Sequence, residues 1–162
     1  MQPGQSSFVT LEQHLRGMKI VAGALIFALV VFAMIATFAR GGEPNESGMT
    51  LVMGVMIAGE AVAFFIVPSG LFRAAIQKVD VSDKDDDALR LELAPIYSGM
   101  MIVRFALCEG AGFFAGIVWM IESNPIALAT IGTLLLIQCI MFPAQHSVEN
   151  WIDEQLERLR AA

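Results

Sequence analysis

The chain has 162 residues, of which 56% are hydrophobic and only 16% charged, with a formal net charge of −6 and a mean hydropathy of +0.66. That composition excludes an ordinary water-soluble domain of this size. The acidic balance argues against nucleic acid or an anionic lipid surface as the main partner.

The excess hydrophobicity is segmented. Four stretches are each long enough to cross a hydrocarbon core of about 30 Å at about 1.5 Å per helical residue. They run roughly from Met18 to Phe38, Met49 to Phe72, Pro95 to Ile121 and Pro125 to Ala144. The expected fold is all-α: one polytopic domain spanning residues 1–162, with four transmembrane helices and a C-terminal amphipathic helix over 147–160.

Residues 1–17 read as a polar arm in which Leu11-Glu12-Gln13-His14-Leu15 starts a helical turn. The first span follows Arg16 and Lys19 and ends in Ala36-Thr37-Phe38-Ala39, a pattern that invites comparison with a secretory signal. Its apolar run is longer than a signal core, so a retained helix is expected. The connection over 40–48 is dense in Gly, Pro, Asn and Ser, as a short hydrated loop requires.

After the second span, residues 73–94 read as the one long loop, acidic at Asp80, Asp83, Asp85, Asp86 and Asp87. A calcium loop would need a central glycine that is missing here, so a solvated acidic turn is expected. Glu122-Ser123-Asn124 then form a tight link to Pro125, which suits the first turn of a helix because proline lacks the N–H left unpaired there.

Beyond Pro143, Val148, Trp151, Ile152, Leu156 and Leu159 recur at helical spacing, with Ser147 placed as N-cap. This amphipathic helix is expected on the inner membrane surface with Trp151 as anchor. Docking against a partner or against the 73–94 segment is the alternative.

Lysine and arginine in short loops stay on the cytoplasmic side. Arg16, Lys19, Arg73, Lys78, Lys84, Arg90, Arg158 and Arg160 all fall at one end of the spans, and only Arg40 at the other. A multi-pass protein of the inner, cytoplasmic membrane with both termini cytoplasmic is the expectation. Cys108 and Cys139 lie within apolar spans, where they read as buried small hydrophobes rather than a redox or metal pair.

Ionisable groups at bilayer depth are the chemically informative residues, since each costs several kcal/mol unless neutralised, paired or hydrated. Glu60 and Glu109 lie near the middle of the second and third spans, which run in opposite directions and so bring both carboxyls to one level. Arg104 precedes Glu109 by about 7.5 Å, and Gln138 on the fourth span falls at a similar depth. Arg104 and Glu109 point about 140° apart around one helix, which makes Glu60 the preferred partner for the guanidinium. Two acids and one base leave an unbalanced charge that a proton or small cation can balance. A purely structural network fixing helix register is the competing reading.

Small residues suggest close helix contacts: Gly112 and Gly116 continue a stripe from Arg104 and Cys108, while Gly54, Ala58, Gly59 and Ala63 mark the second span. Residues Phe105 to Val118, reading Phe-Ala-Leu-Cys-Glu-Gly-Ala-Gly-Phe-Phe-Ala-Gly-Ile-Val, resemble the carboxylate-bearing helix of rotary ATPase ring subunits. That resemblance implies an ion-binding role for Glu109. It is confined to this segment, and the flanking charges Glu60 and Arg104 depart from the ring-subunit pattern.

No nucleophile–base–orienter set and no metal-ligand cluster can be read from the chain, and both histidines, His14 and His146, lie outside the spans, where they cannot hold a haem within the bundle. The expected role is non-enzymatic and without a cofactor or metal. The lipid bilayer is the first partner, followed by a second copy of the chain or a membrane-complex partner met through Trp151, Ile152, Leu156 and Leu159. A structural or assembly subunit acting through that helix and the acidic loop is the alternative function.

Overall fold

The structure is a computed structural model that describes residues 3–39, 48–79 and 84–161, with side chains from residue 12 onward. The hydrated loop expected at 40–47, with Arg40, and the acidic residues at 80–83 lie outside the described residues. The described chain is helical throughout, in the order α1 (Pro3–Phe38), α2 (Met49–Ile76), α3 (Asp86–Glu122), α4 (Pro125–Ile140) and α5 (Gln145–Ala161).

Three of these helices, α1 over Glu12–Phe38, α2 and α3, are long and apolar enough to cross a membrane. The fourth span expected over 125–144 is shorter than its apolar run. α4 has 16 residues and rises about 24 Å, less than the roughly 30 Å of a hydrocarbon core. The helix stops because Pro143 disfavours helical backbone at Phe142, and the chain bends by 67° between α4 and α5.

Two helices begin earlier than expected. α1 takes in most of the presumed polar arm, and its Leu15, Met18 and Ala22 are buried. α3 starts at Asp86 rather than Pro95: the Asp85 carboxylate accepts from the Ala88 N–H at 2.9 Å, and Asp86 and Asp87 face the positive end of the helix dipole. The acidic run is therefore partly a helix start, and the loop before it is correspondingly short. Pro95 sits inside the helix.

α3 is the axis of the fold. α1, α2, α4 and α5 each pack against it, and its small residues explain how closely they come. A Cβ placed on Gly112 would lie 2.5 Å from Leu29 Cδ1, and one on Gly116 would lie 2.4 Å from Phe32 Cε1. The stripe is filled by α1, with the Phe32 ring set edge-on to Phe113 at 4.8 Å. α2 runs antiparallel along another side, with Phe72 against Gly99, Glu60 against Gly110, and its first residues beside Glu122.

The α5 end has its own core. Val148, Ile152 and Leu156 join Leu15 and Met18 of α1 and Leu89, Leu93 and Tyr97 of α3. Tyr97 and Trp151 meet at 5.1 Å between ring centroids, and ion pairs join Arg90 to Asp153 and Asp86 to Arg160. The apolar face assigned to the membrane surface is thus covered by the protein itself, on the 73–94 segment that was the alternative. The helix also starts at Gln145, so Ser147 is not its cap.

Burial and ion pairing contribute unequally here. Ile152→Ala is expected to lower the unfolding free energy by about 2–4 kcal/mol by removing a fully buried side chain. Arg90→Ala should cost less than about 1 kcal/mol, because its pair with Asp153 is solvent-exposed. Thermal unfolding of both variants in detergent checks the order.

Candidate functional site

α2 and α4 lean on α3 from different sides and leave a groove of about 610 Å³ between them. Ala61, Phe64 and Phe65 of α2 form one wall, and Leu107, Cys108 and Ala111 of α3 form the floor. The α4 wall carries Thr130 and Thr133, but their hydroxyls donate to the carbonyls of Ile126 and Ala129, each at 2.9 Å, within their own helix. The one ionisable carboxyl in this apolar lining is Glu60.

Helical spacing brings Glu60 into the groove on the same side of α2 as Phe64, one turn further on. The carboxyl stands beside Gly110: a Cβ at that position would lie in ordinary contact, 3.5 Å from Glu60 Oε1. Glu60 Oε2 is buried and has no hydrogen-bond partner. A carboxylate in that setting is costly unless it gains a proton or a positively charged partner.

Arg104 does not provide that partner. Its guanidinium carbon lies 5.6 Å from the centre of the Phe64 ring, and its Nε is buried without a hydrogen bond. Among the described residues, neither Glu60 nor Glu109 forms an ion pair with it. The expected Glu60–Arg104 bridge is replaced by a cation–π contact one turn along α2 from Glu60. Arg104 shares a side of α3 with Cys108 and Ala111 but does not itself line the groove. Pro68 adds an acceptor nearby, since it has no N–H to give to the Phe64 carbonyl.

Gln138 is buried, and its Nε2 donates to the Phe105 carbonyl at 3.4 Å, tying α4 to α3. Its Oε1 has no hydrogen-bond partner. Glu109 stands apart. It lies at the level of Glu60, next to Gly110, but about 100° around α3 from that glycine, and it does not line the groove. The four residues therefore occupy neighbouring levels without forming one connected cluster.

The packing residues divide as well. Gly112 and Gly116 receive α1, whereas Gly54, Ala58 and Gly59 are exposed, and a Cβ on Gly54 or Gly59 would meet nothing within 4 Å. Only Ala63 of that set is half-buried. Cys108 is buried as expected, but Cys139 is exposed on α4. Trp151 and Leu159 are half-buried and Ile152 and Leu156 buried, all at the α5 end described above.

Sequence reasoning overlooked Glu122. At the end of α3 it accepts from the backbone N–H groups of Met49 at 2.6 Å and Thr50 at 3.0 Å, and from the Thr50 hydroxyl. These are the first donors of α2, whose N-cap Gly48 has no side chain to offer. Asn124 adds a 3.0 Å bond to the same hydroxyl while capping α4. The available signal was an acid at one helix end facing a glycine-capped helix start.

Among the described residues, no three His, Cys, Asp or Glu side chains are placed to hold a metal ion. Comparison of the chain with protein-family models, curated proteins and solved structures gives no match. The resemblance of residues 105–118 to ring subunits rests on that segment alone.

Proposed function

We propose that the chain is a small, non-enzymatic integral protein of the cytoplasmic membrane in which Glu60 takes up and releases a proton or a small cation. The observation that carries this reading is the Glu60 carboxylate, set in an apolar groove with one buried oxygen lacking a partner. In this reading both termini face the cytoplasm and the chain crosses the membrane four times, with α4 and the bend after it completing the last crossing. Support for that orientation comes from Arg73, Lys78, Lys84, Arg90, Arg158 and Arg160, which lie at the ends of α2 and α5 or about the start of α3.

Reconstituted into vesicles, the protein should conduct protons or a monovalent cation, and Glu60→Gln should reduce that flux by at least about tenfold while remaining folded. Glu109→Gln, which lies outside the groove, should reduce it less. Unchanged flux in Glu60→Gln would overturn the reading.

A second reading, in which these polar residues serve only to hold the bundle, draws on Gln138 and Arg104, which both tie a neighbouring helix to α3. Under it, the same substitutions lower thermal stability and the protein conducts nothing. An assembly role for α5 would have to use its polar face, since its apolar face is already covered.

A further inference from the structure

We infer that the groove between α2 and α4 binds a lipophilic organic cation: an apolar, aromatic-sized body carrying one ammonium or phosphonium charge, held with that charge against Glu60. The inference rests on the reading of Glu60 as a group that holds a mobile positive charge, and it names the ligand class.

Volume, lining and charge each narrow the occupant. About 610 Å³ is the size of a small-molecule site. The walls are apolar and include the Phe64 and Phe65 rings, which stand edge to face at 5.4 Å; Arg104 already lies over Phe64, so Phe65 is the ring that offers a π surface to a ligand cation. The groove places a carboxylate, and no cation of its own lining, in front of the ligand.

An anion would face Glu60 directly. Calcium or magnesium would need about six oxygen ligands, and one carboxylate among apolar side chains does not supply them. A bulky organic cation is weakly hydrated and requires no such cage. A lipid chain would fill the volume but leave Glu60 Oε2 without a partner.

Access suits the same class. Phe65 and Ile126 at the rim are 69% and 58% exposed, so the groove opens onto the apolar outer surface of the bundle. A ligand soluble in the bilayer can enter from the side. Arg104 is not part of the lining, and its guanidinium is held over the Phe64 ring.

The test uses the full chain in a nonionic detergent and equilibrium dialysis with tetraphenylphosphonium, with neutral triphenylphosphine oxide as control. Saturable phosphonium binding is expected, with the neutral compound at least about tenfold weaker. Glu60→Gln should weaken phosphonium binding by at least about tenfold, and Glu60→Asp by less. Ala129→Phe, which retains the carboxylate and fills the α4 wall, should abolish it, so the groove is tested even if Glu60→Gln misfolds. No saturable phosphonium binding, or equal binding in wild type and Ala129→Phe, overturns the inference and leaves the groove to lipid or detergent tails. If Glu60→Gln abolishes vesicle flux and phosphonium does not bind, this inference fails while the Glu60 reading stands; if neither flux nor binding responds to Glu60→Gln, both fail.

Discussion

Replacing Glu122 with alanine is expected to lower the unfolding free energy by about 3 kcal/mol and the thermal midpoint in detergent by roughly 6–12 °C. The side chain is 7% exposed and satisfies two backbone donors and a hydroxyl at the start of α2. Its loss leaves those donors unpaired at a helix end where Gly48 cannot replace it. Glu122→Gln should lose about half as much, since one amide oxygen can accept where two carboxylate oxygens did. Circular dichroism melts of the three proteins give the comparison. Equal melting of wild type and Glu122→Ala would mean that the clamp contributes nothing.

Gly116→Val should destabilise by about 3 kcal/mol or more, because its Cβ must displace a ring that cannot swing freely. Phe32 Cε1 would be 2.4 Å away, and the ring is already packed edge-on against Phe113. Gly112→Val meets Leu29, which is fully buried, and should cost a similar amount. Gly59→Val serves as the control: nothing lies within 4 Å of its Cβ position, so its effect should stay within about 0.5 kcal/mol. In the Gly116→Val background, Phe32→Ala should recover part of the loss, which a double-mutant cycle would register as coupling. Additive effects of the two changes would argue against direct contact.

The helical class and three of the spans were legible because uncharged stretches such as Ile20 to Ala39 admit few alternatives in length or period. Helix starts were less legible. Asp85, Asp86 and Asp87 look like a solvated turn when considered singly, but together they supply a cap and a first turn. Counting residues puts Glu60 level with Glu109 from rise and direction alone, and the structure has Glu60 beside Gly110.

Counting could not show which helix stands on which side of α3. Gly112 and Gly116, whose spacing named no partner, hold α1, and Arg104 reaches Phe64 instead of a carboxylate. Glu122 escaped notice for a related reason: its partners are 72 and 73 residues away in the chain. The apolar face of α5 was plain from its spacing, but not what covers it.

The order in which the chain leaves the ribosome gives the central position of α3 a further meaning. α1 and α2 are synthesised first, yet the surfaces they pack on, Gly112 and Gly116 for one and Gly99 and Gly110 for the other, belong to a helix not yet made. In the membrane reading proposed above, both wait in the bilayer as separate segments, stable through their own backbone bonds, until α3 is made. The seam that joins the two early helices is therefore supplied by the third. α4 and α5 then add to a helix that is already present, since both follow α3 in the chain and pack on it.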